Sequence, residues 1–117
     1  MSNALQVYGI RNCDTVKKAL KWLNENQLDT EFHDFKKESL PEAVVAEWFS
    51  QIDQKKLINR RGLTWRKLDD SQKALTEPSD LIPLIIENPT LVKRPVVFHQ
   101  GVWSVGYDES DWQSRFL

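Results

Sequence analysis

The sequence predicts an α/β fold, a mixed four-stranded sheet with helices that is interrupted by a helical insertion. Three patterns carry this expectation. A strand–helix–strand run leads the chain, two strands and a helix close it, and the stretch between shows helical periodicity only. The sheet core is expected at about residues 1–36 and 91–117, with the insertion at about 37–90, all in a single domain.

Leu5 to Ile10 reads as a short buried strand that ends at Gly9 and the polar turn Arg11-Asn12. From Asp14, Val16, Ala19, Leu20 and Leu23 recur at i, i+3, i+4, i+7, while Lys17, Lys18 and Lys21 fall off that stripe. Thr30 to Phe35 alternates polar and apolar residues, a second strand. Strand, helix of about 12 residues and strand make a βαβ unit with parallel strands and a right-handed crossover. Ser39, followed by Pro41 and Glu42, marks the next helix start, with Val44, Val45, Trp48 and Phe49 as its apolar face. Leu57 to Gly62 reads as a turn, and Leu63–Leu68 and Gln72–Leu75 as short helical pieces. A stronger helix is expected from Ser79 or Asp80, carrying Leu81, Leu84 and Ile85 and stopping before Asn88-Pro89. Arg94 to Phe98 and Val102 to Val105 flank the turn His99-Gln100-Gly101, an antiparallel hairpin. Asp108-Glu109-Ser110 then opens a last helix bearing Trp112 and Phe116.

The totals exclude several classes of function. A net charge of −1 gives no bulk reason to expect nucleic acid or a membrane surface as partner. No run approaches the ~20 apolar residues of a membrane span, and Met1 to Leu5 lacks the pattern of a signal peptide. One cysteine permits no internal disulfide, so a reducing, cytoplasmic setting is the default. His33 and His99 have nothing at metal-ligand spacing, and no zinc site is expected. The 5 tryptophans are read mainly as packing residues.

Cys13 is the chemistry-bearing candidate. It follows a strand, precedes a helix and is flanked by polar residues, unlike an inert cysteine in an apolar run. Free N–H groups and the helix dipole at such a position favour a thiolate, and could also hold an anion beside it. The Asp14 carboxylate acts in the opposite sense, raising the thiol pKa. Arg60, Arg61 and Arg94 are the available guanidinium forks for an oxyanion, with Arg94 at the head of a buried strand and Arg60-Arg61-Gly62 in a turn. Pro95 is expected to be trans from the residues alone, since only ~5–6% of X-Pro bonds in folded proteins are cis.

Tyr8-Gly9-Ile10-Arg11-Asn12-Cys13-Asp14-Thr15, the stretch from Leu57 to Leu68, and Asn88-Pro89-Thr90-Leu91-Val92-Lys93-Arg94-Pro95-Val96-Val97 together resemble the arsenate reductase (ArsC)/Spx family. The nearest likeness is to its small YffB-type branch of glutathione-dependent thiol reductases, and it spans essentially the whole chain. The resemblance implies a thioredoxin-like fold with a helical insert. It also implies that Cys13 is the nucleophile, that Pro95 is a cis-proline packed beside it, and that Arg94 binds the oxyanion or the thiol partner.

The chain departs from the arsenate reductases in three places. Cys13-Asp14-Thr15-Val16 stands where they have Cys-Gly-Thr-Ser, their insert arginine aligns nearer to Asn59, leaving Arg60 or Arg61 to substitute from the adjacent position, and Val105-Gly106-Tyr107-Asp108 supplies no third arginine. The loss of one cation and one hydroxyl weakens trianion binding and argues against arsenate. Val16 also replaces the second cysteine of the Cys-x-x-Cys switch typical of Spx regulators.

The expectation is therefore a monomeric thiol/disulfide reductase with no bound cofactor. Glutathione serves as co-substrate, and another small thiol or glutaredoxin could take that place. Cys13 attacks, an external thiol resolves the intermediate, and Arg94 with Arg60 or Arg61 neutralises anionic groups. Asn12 and the N–H groups after Cys13 help hold the anion. The alternative is a non-enzymatic, Spx-like adaptor for a protein such as RNA polymerase, docking through the exposed side of the insert near Glu47, Trp48 and Gln51.

Overall fold

A computed structural model describes residues 4–117. In chain order its elements are β1 (Leu5–Gly9), α1 (Asp14–Glu25), β2 (Thr30–Asp34), α2 (Glu42–Gln51), α3 (Gln54–Leu57) and α4 (Leu63–Arg66). They continue with α5 (Asp70–Lys73), α6 (Pro78–Glu87), a 3₁₀ turn at Pro89–Leu91, β3 (Val96–His99), β4 (Val102–Val105) and α7 (Glu109–Phe116). These fall into two compact units, one running to Phe35 and resuming at Arg94–Leu117, the other spanning Lys36–Lys93.

The first unit holds the whole sheet, in the order β2-β1-β3-β4. β1 and β2 pair in parallel, while β3 runs antiparallel to both β1 and β4. One sheet face, with Leu5, Val7 and Val97, packs on Ala19, Trp22 and Leu23 of α1 and on Trp112 and Phe116 of α7. Each large side chain buried this way is worth about 1.5–3 kcal/mol. The stripe on α1 is rotated slightly from the expected one. Trp22 is buried and Leu20 only half-buried, because the wide indole reaches Trp112, its ring centre 5.8 Å away. The opposite face carries Tyr8, stacked on His33 at 4.5 Å, and Phe98 against Trp103 at 4.8 Å.

Local chemistry fixes the element ends. α1 closes in a Schellman motif: Leu28 N–H donates to the Leu23 carbonyl and Gln27 N–H to that of Asn24, with Gln27 left-handed at φ 57°. The β3–β4 hairpin turns through Gln100 and Gly101, both at positive φ, the signature of a type I′ turn. β3 begins at Val96, not Arg94. Pro95 has no N–H to give a ladder, and its carbonyl instead accepts from Gly106 N–H at 2.8 Å. The Arg94–Pro95 bond is cis, as the family resemblance implies and contrary to the trans form expected from the residues alone.

In the second unit α2 packs against α6, burying Val45 and Trp48 on one side and Leu81, Leu84 and Ile85 on the other. Val44 and Phe49 of the expected α2 face are only half-buried. The N-cap of α2 is Pro41, not Ser39, with extended backbone at ψ 138° and no side-chain capping bond. α6 likewise starts earlier than expected, with Pro78 at its first position. α5 is set by a capping box between Asp69 and Gln72, which moves the expected piece at Gln72–Leu75 back to Asp70–Lys73. Where the sequence suggests only a turn, Leu57–Val92 forms a clamp. Ile58 and Val92 bridge antiparallel, Asn59 N–H donates to the Leu91 carbonyl at 2.7 Å, and Lys93 N–H to that of Leu57 at 2.8 Å. Among the described residues, no helix is long and apolar enough to cross a membrane.

Candidate thiol site

Gly9 ends β1 where the strand must pass close to α1. A Cβ there would lie 2.9 Å from a Val16 methyl. The chain then turns through the exposed residues Arg11 and Asn12 and enters α1 with Cys13 as the N-cap residue, in extended conformation. Cys13 is half-buried, and its carbonyl accepts the first helical bond, from Lys17 N–H at 2.9 Å. The strand and the Gly9–Val16 approach thus set the sulfur at the mouth of the helix.

The thiol is held below its ordinary pKa. Burial is the largest single influence and pushes it up. The Val16 N–H, a hydrogen bond and the positive charge from the Arg94 guanidinium, and the Thr15 N–H together outweigh that rise. No strict capping bond closes between the sulfur and the first turn, so the two amides act as nearby oriented dipoles. The rise expected from Asp14 does not prevail.

The sheet unit therefore brings Arg94 to Cys13, with Asn12 the residue before the sulfur and Pro95 the residue after Arg94. Arg94 is half-buried, Pro95 is buried, and Asn12 stays exposed one residue before the sulfur. Arg60 and Arg61 belong to the insertion unit, on the loop between α3 and α4. Arg60 lies over the Trp65 ring at 5.2 Å, and Arg61 N–H donates to Asn59 Oδ1 at 3.3 Å. Both line a cavity of about 400 Å³ together with Lys55, Ile58, Asn59 and Lys93. Lys55 and Lys93 were not anticipated. Lys55 comes from α3, just before the arginine loop, whereas the Ile58–Val92 bridge brings Lys93 there, and pairing across 34 positions leaves no local signal in the sequence. Among the described residues, no group of three or more His, Cys, Asp or Glu side chains could hold a metal ion.

A parallel βα pair that delivers a lone cysteine to a helix N-terminus, closed by an antiparallel hairpin behind a cis-proline, defines a thioredoxin-like protein of the single-cysteine kind. The comparisons with known proteins narrow the class. Residues 8–115 match the ArsC family model, and the chain belongs to that family. It is 38% identical over 112 residues to an uncharacterized protein of Haemophilus influenzae, covering 96% of this chain and 98% of that one. The solved structure of the YffB (PA3664) protein superposes with a TM-score of 0.92 at 33% identity, covering 97% of this chain and all of the other. A global transcriptional regulator Spx of Streptococcus pyogenes is 29% identical over 102 residues, covering 86% of this chain and 75% of the regulator.

Proposed function

We propose that the protein is a glutathione-dependent thiol/disulfide reductase with Cys13 as its nucleophile. The observation that carries this reading is the half-buried sulfur whose pKa is drawn down by Arg94 and by the first-turn amides of α1. Membership of a family of arsenate-reductase-like proteins supports a role in thiol redox chemistry.

In the proposed cycle the Cys13 thiolate attacks the glutathionyl sulfur of a protein–glutathione mixed disulfide. The protein thiolate leaves as Cys13 becomes glutathionylated. A second glutathione, as thiolate, attacks that new disulfide; oxidised glutathione leaves and the Cys13 thiolate is regenerated. The chain has no other cysteine, so an external thiol must take this second step, with glutaredoxin a further candidate. Arg94 neutralises the anionic sulfur and the ligand's charge, and Asn12 and the Thr15 and Val16 amides help hold it. The family resemblance alone assigns Arg60 or Arg61 to the substrate's anionic groups. Arsenate is disfavoured by Asp14 and Val16, which replace small and hydroxyl-bearing residues of the arsenate reductases. A cytoplasmic, monomeric enzyme fits this chemistry.

A reductase assay on a glutathionylated peptide with reduced glutathione tests the proposal. Wild type should turn over, and Cys13→Ser should fall to the uncatalysed rate. Equal rates would favour the second reading, an adaptor like the Spx relatives. That reading needs a revised surface, because Trp48 is fully buried while Glu47 and Gln51 are exposed. The expectation of an exposed Trp48 fails because its indole fills the α2–α6 core.

A further inference from the structure

The insertion unit contains a concave, cationic surface that includes both arginines offered above, on family resemblance, to the substrate's anionic groups. Its cavity of about 400 Å³ is lined by Lys55, Ile58, Asn59, Arg60, Arg61 and Lys93, so four of six lining residues are cations and none is acidic. In a chain of net charge −1 that is a pronounced local excess. None of the four cations is paired with a carboxylate among the described residues.

The surface is also built on fixed backbone. The Ile58–Val92 bridge, with its flanking bonds from Asn59 N–H and Lys93 N–H, locks Lys93 beside the loop that carries the arginines. Ile58 and Val92 anchor this clamp in the core at 2% and 0% exposure. Trp65 stacks under the Arg60 guanidinium, and Asn59 Oδ1 holds the Arg61 N–H. Gly62 lets Asn59 pack close, since a Cβ there would meet Asn59 Nδ2 at 2.8 Å. Part of the ordering entropy is thus already spent before a ligand arrives.

Going beyond the reductase reading, we infer that the Lys55–Arg60–Arg61–Lys93 cavity is an anion-binding site for small molecules carrying two or more linked phosphates. Charge decides the class. An exposed cation–anion pair is individually weak, but four cations around one concavity focus the field and favour a compact ligand bearing several negative charges. Glutathione, with two carboxylates and one ammonium, carries a net charge near −1 and leaves most of that field unanswered. Two guanidinium forks flanked by two point-charge ammonium groups suit phosphoryl oxygens.

The test is an amide-shift NMR titration of the reduced full-length protein with inorganic diphosphate, ATP, orthophosphate and glutathione in turn. Diphosphate should shift the amides of residues 55–62 and 93, bind more tightly than orthophosphate, and weaken as sodium chloride is raised. Lys55→Gln/Lys93→Gln, which alters exposed side chains only, should weaken diphosphate by at least about tenfold while leaving the rest of the spectrum in place. ATP binding more tightly than diphosphate would point to a nucleotide, and equal affinity to the free oligophosphate. Shifts confined to other residues, unchanged affinity in the double variant, or glutathione binding this cavity more tightly than diphosphate would each overturn the inference. A catalytically dead Cys13→Ser protein should bind diphosphate as wild type does, so failure of the reductase reading is read separately.

Discussion

Substituting Gly9 by alanine tests how the strand end positions the thiol. The new Cβ would lie 2.9 Å from Val16 Cγ2 and 3.5 Å from Cγ1. Val16 cannot swing aside freely: it is fully buried, and a β-branched residue in a helix has one strongly preferred rotamer. Overpacking of this kind costs about 2 kcal/mol. Val16→Ala alone removes two buried methyl groups and should also cost about 2 kcal/mol. If the clash is the cause, the costs do not add, because alanine at position 16 vacates the space that alanine at position 9 needs. The double variant should then cost about 2 kcal/mol rather than about 4, a coupling within the usual range for residues in contact. Equilibrium urea unfolding by tryptophan fluorescence reads this directly. Gly9→Ala should lower the midpoint by roughly 1–2 M at unchanged slope. A neutral Gly9→Ala, or strictly additive costs, would refute the proposed contact.

Four further outcomes follow from the same structure. Arg94→Met should raise the Cys13 pKa and slow iodoacetamide alkylation at neutral pH, with Arg94→Lys intermediate; stopped-time alkylation assays check this. Because the folded thiol titrates below its unfolded value, the unfolded chain holds more protons between the two pKa values, so the Cys13 contribution to stability grows with rising pH there. It is complete above the unfolded value of ~8.5 and lost as pH falls through the folded one; urea midpoints of wild type minus Cys13→Ser across pH should show that slope. Gln27→Gly relieves a left-handed residue at the C-terminal cap of α1 and should stabilise by about 1 kcal/mol in thermal unfolding. Gly101→Ala, at φ +84° with open space around it, should destabilise by about 1–2 kcal/mol for conformational reasons alone, with the hairpin amides shifting first.

The sheet elements and the thiol's position were legible because their signals are local. Apolar alternation, helical spacing and a lone cysteine between strand and helix all lie within short windows, and β4 and α7 fall where those patterns put them. Misplaced boundaries trace to side-chain or proline geometry that competes with periodicity. Pro41 and Pro78 stand at the starts of helices whose expected starts are Ser39 and Ser79 or Asp80, and the Asp69–Gln72 box fixes α5. The cis bond at Pro95 depends on its surroundings and was legible only through the family likeness. The Arg94 contact with Cys13 and the company of Lys93 with the arginines arise from pairing between distant segments, which no window of sequence contains.

The most direct measurement is the pKa of the Cys13 thiol in the intact protein, followed by thiolate absorbance or by alkylation rate against pH. The structure predicts a value below the ordinary thiol pKa of ~8.5, rising when Arg94 is replaced by methionine. A value at or above ~8.5, or one indifferent to Arg94, would contradict the assignment of Cys13 as an activated nucleophile.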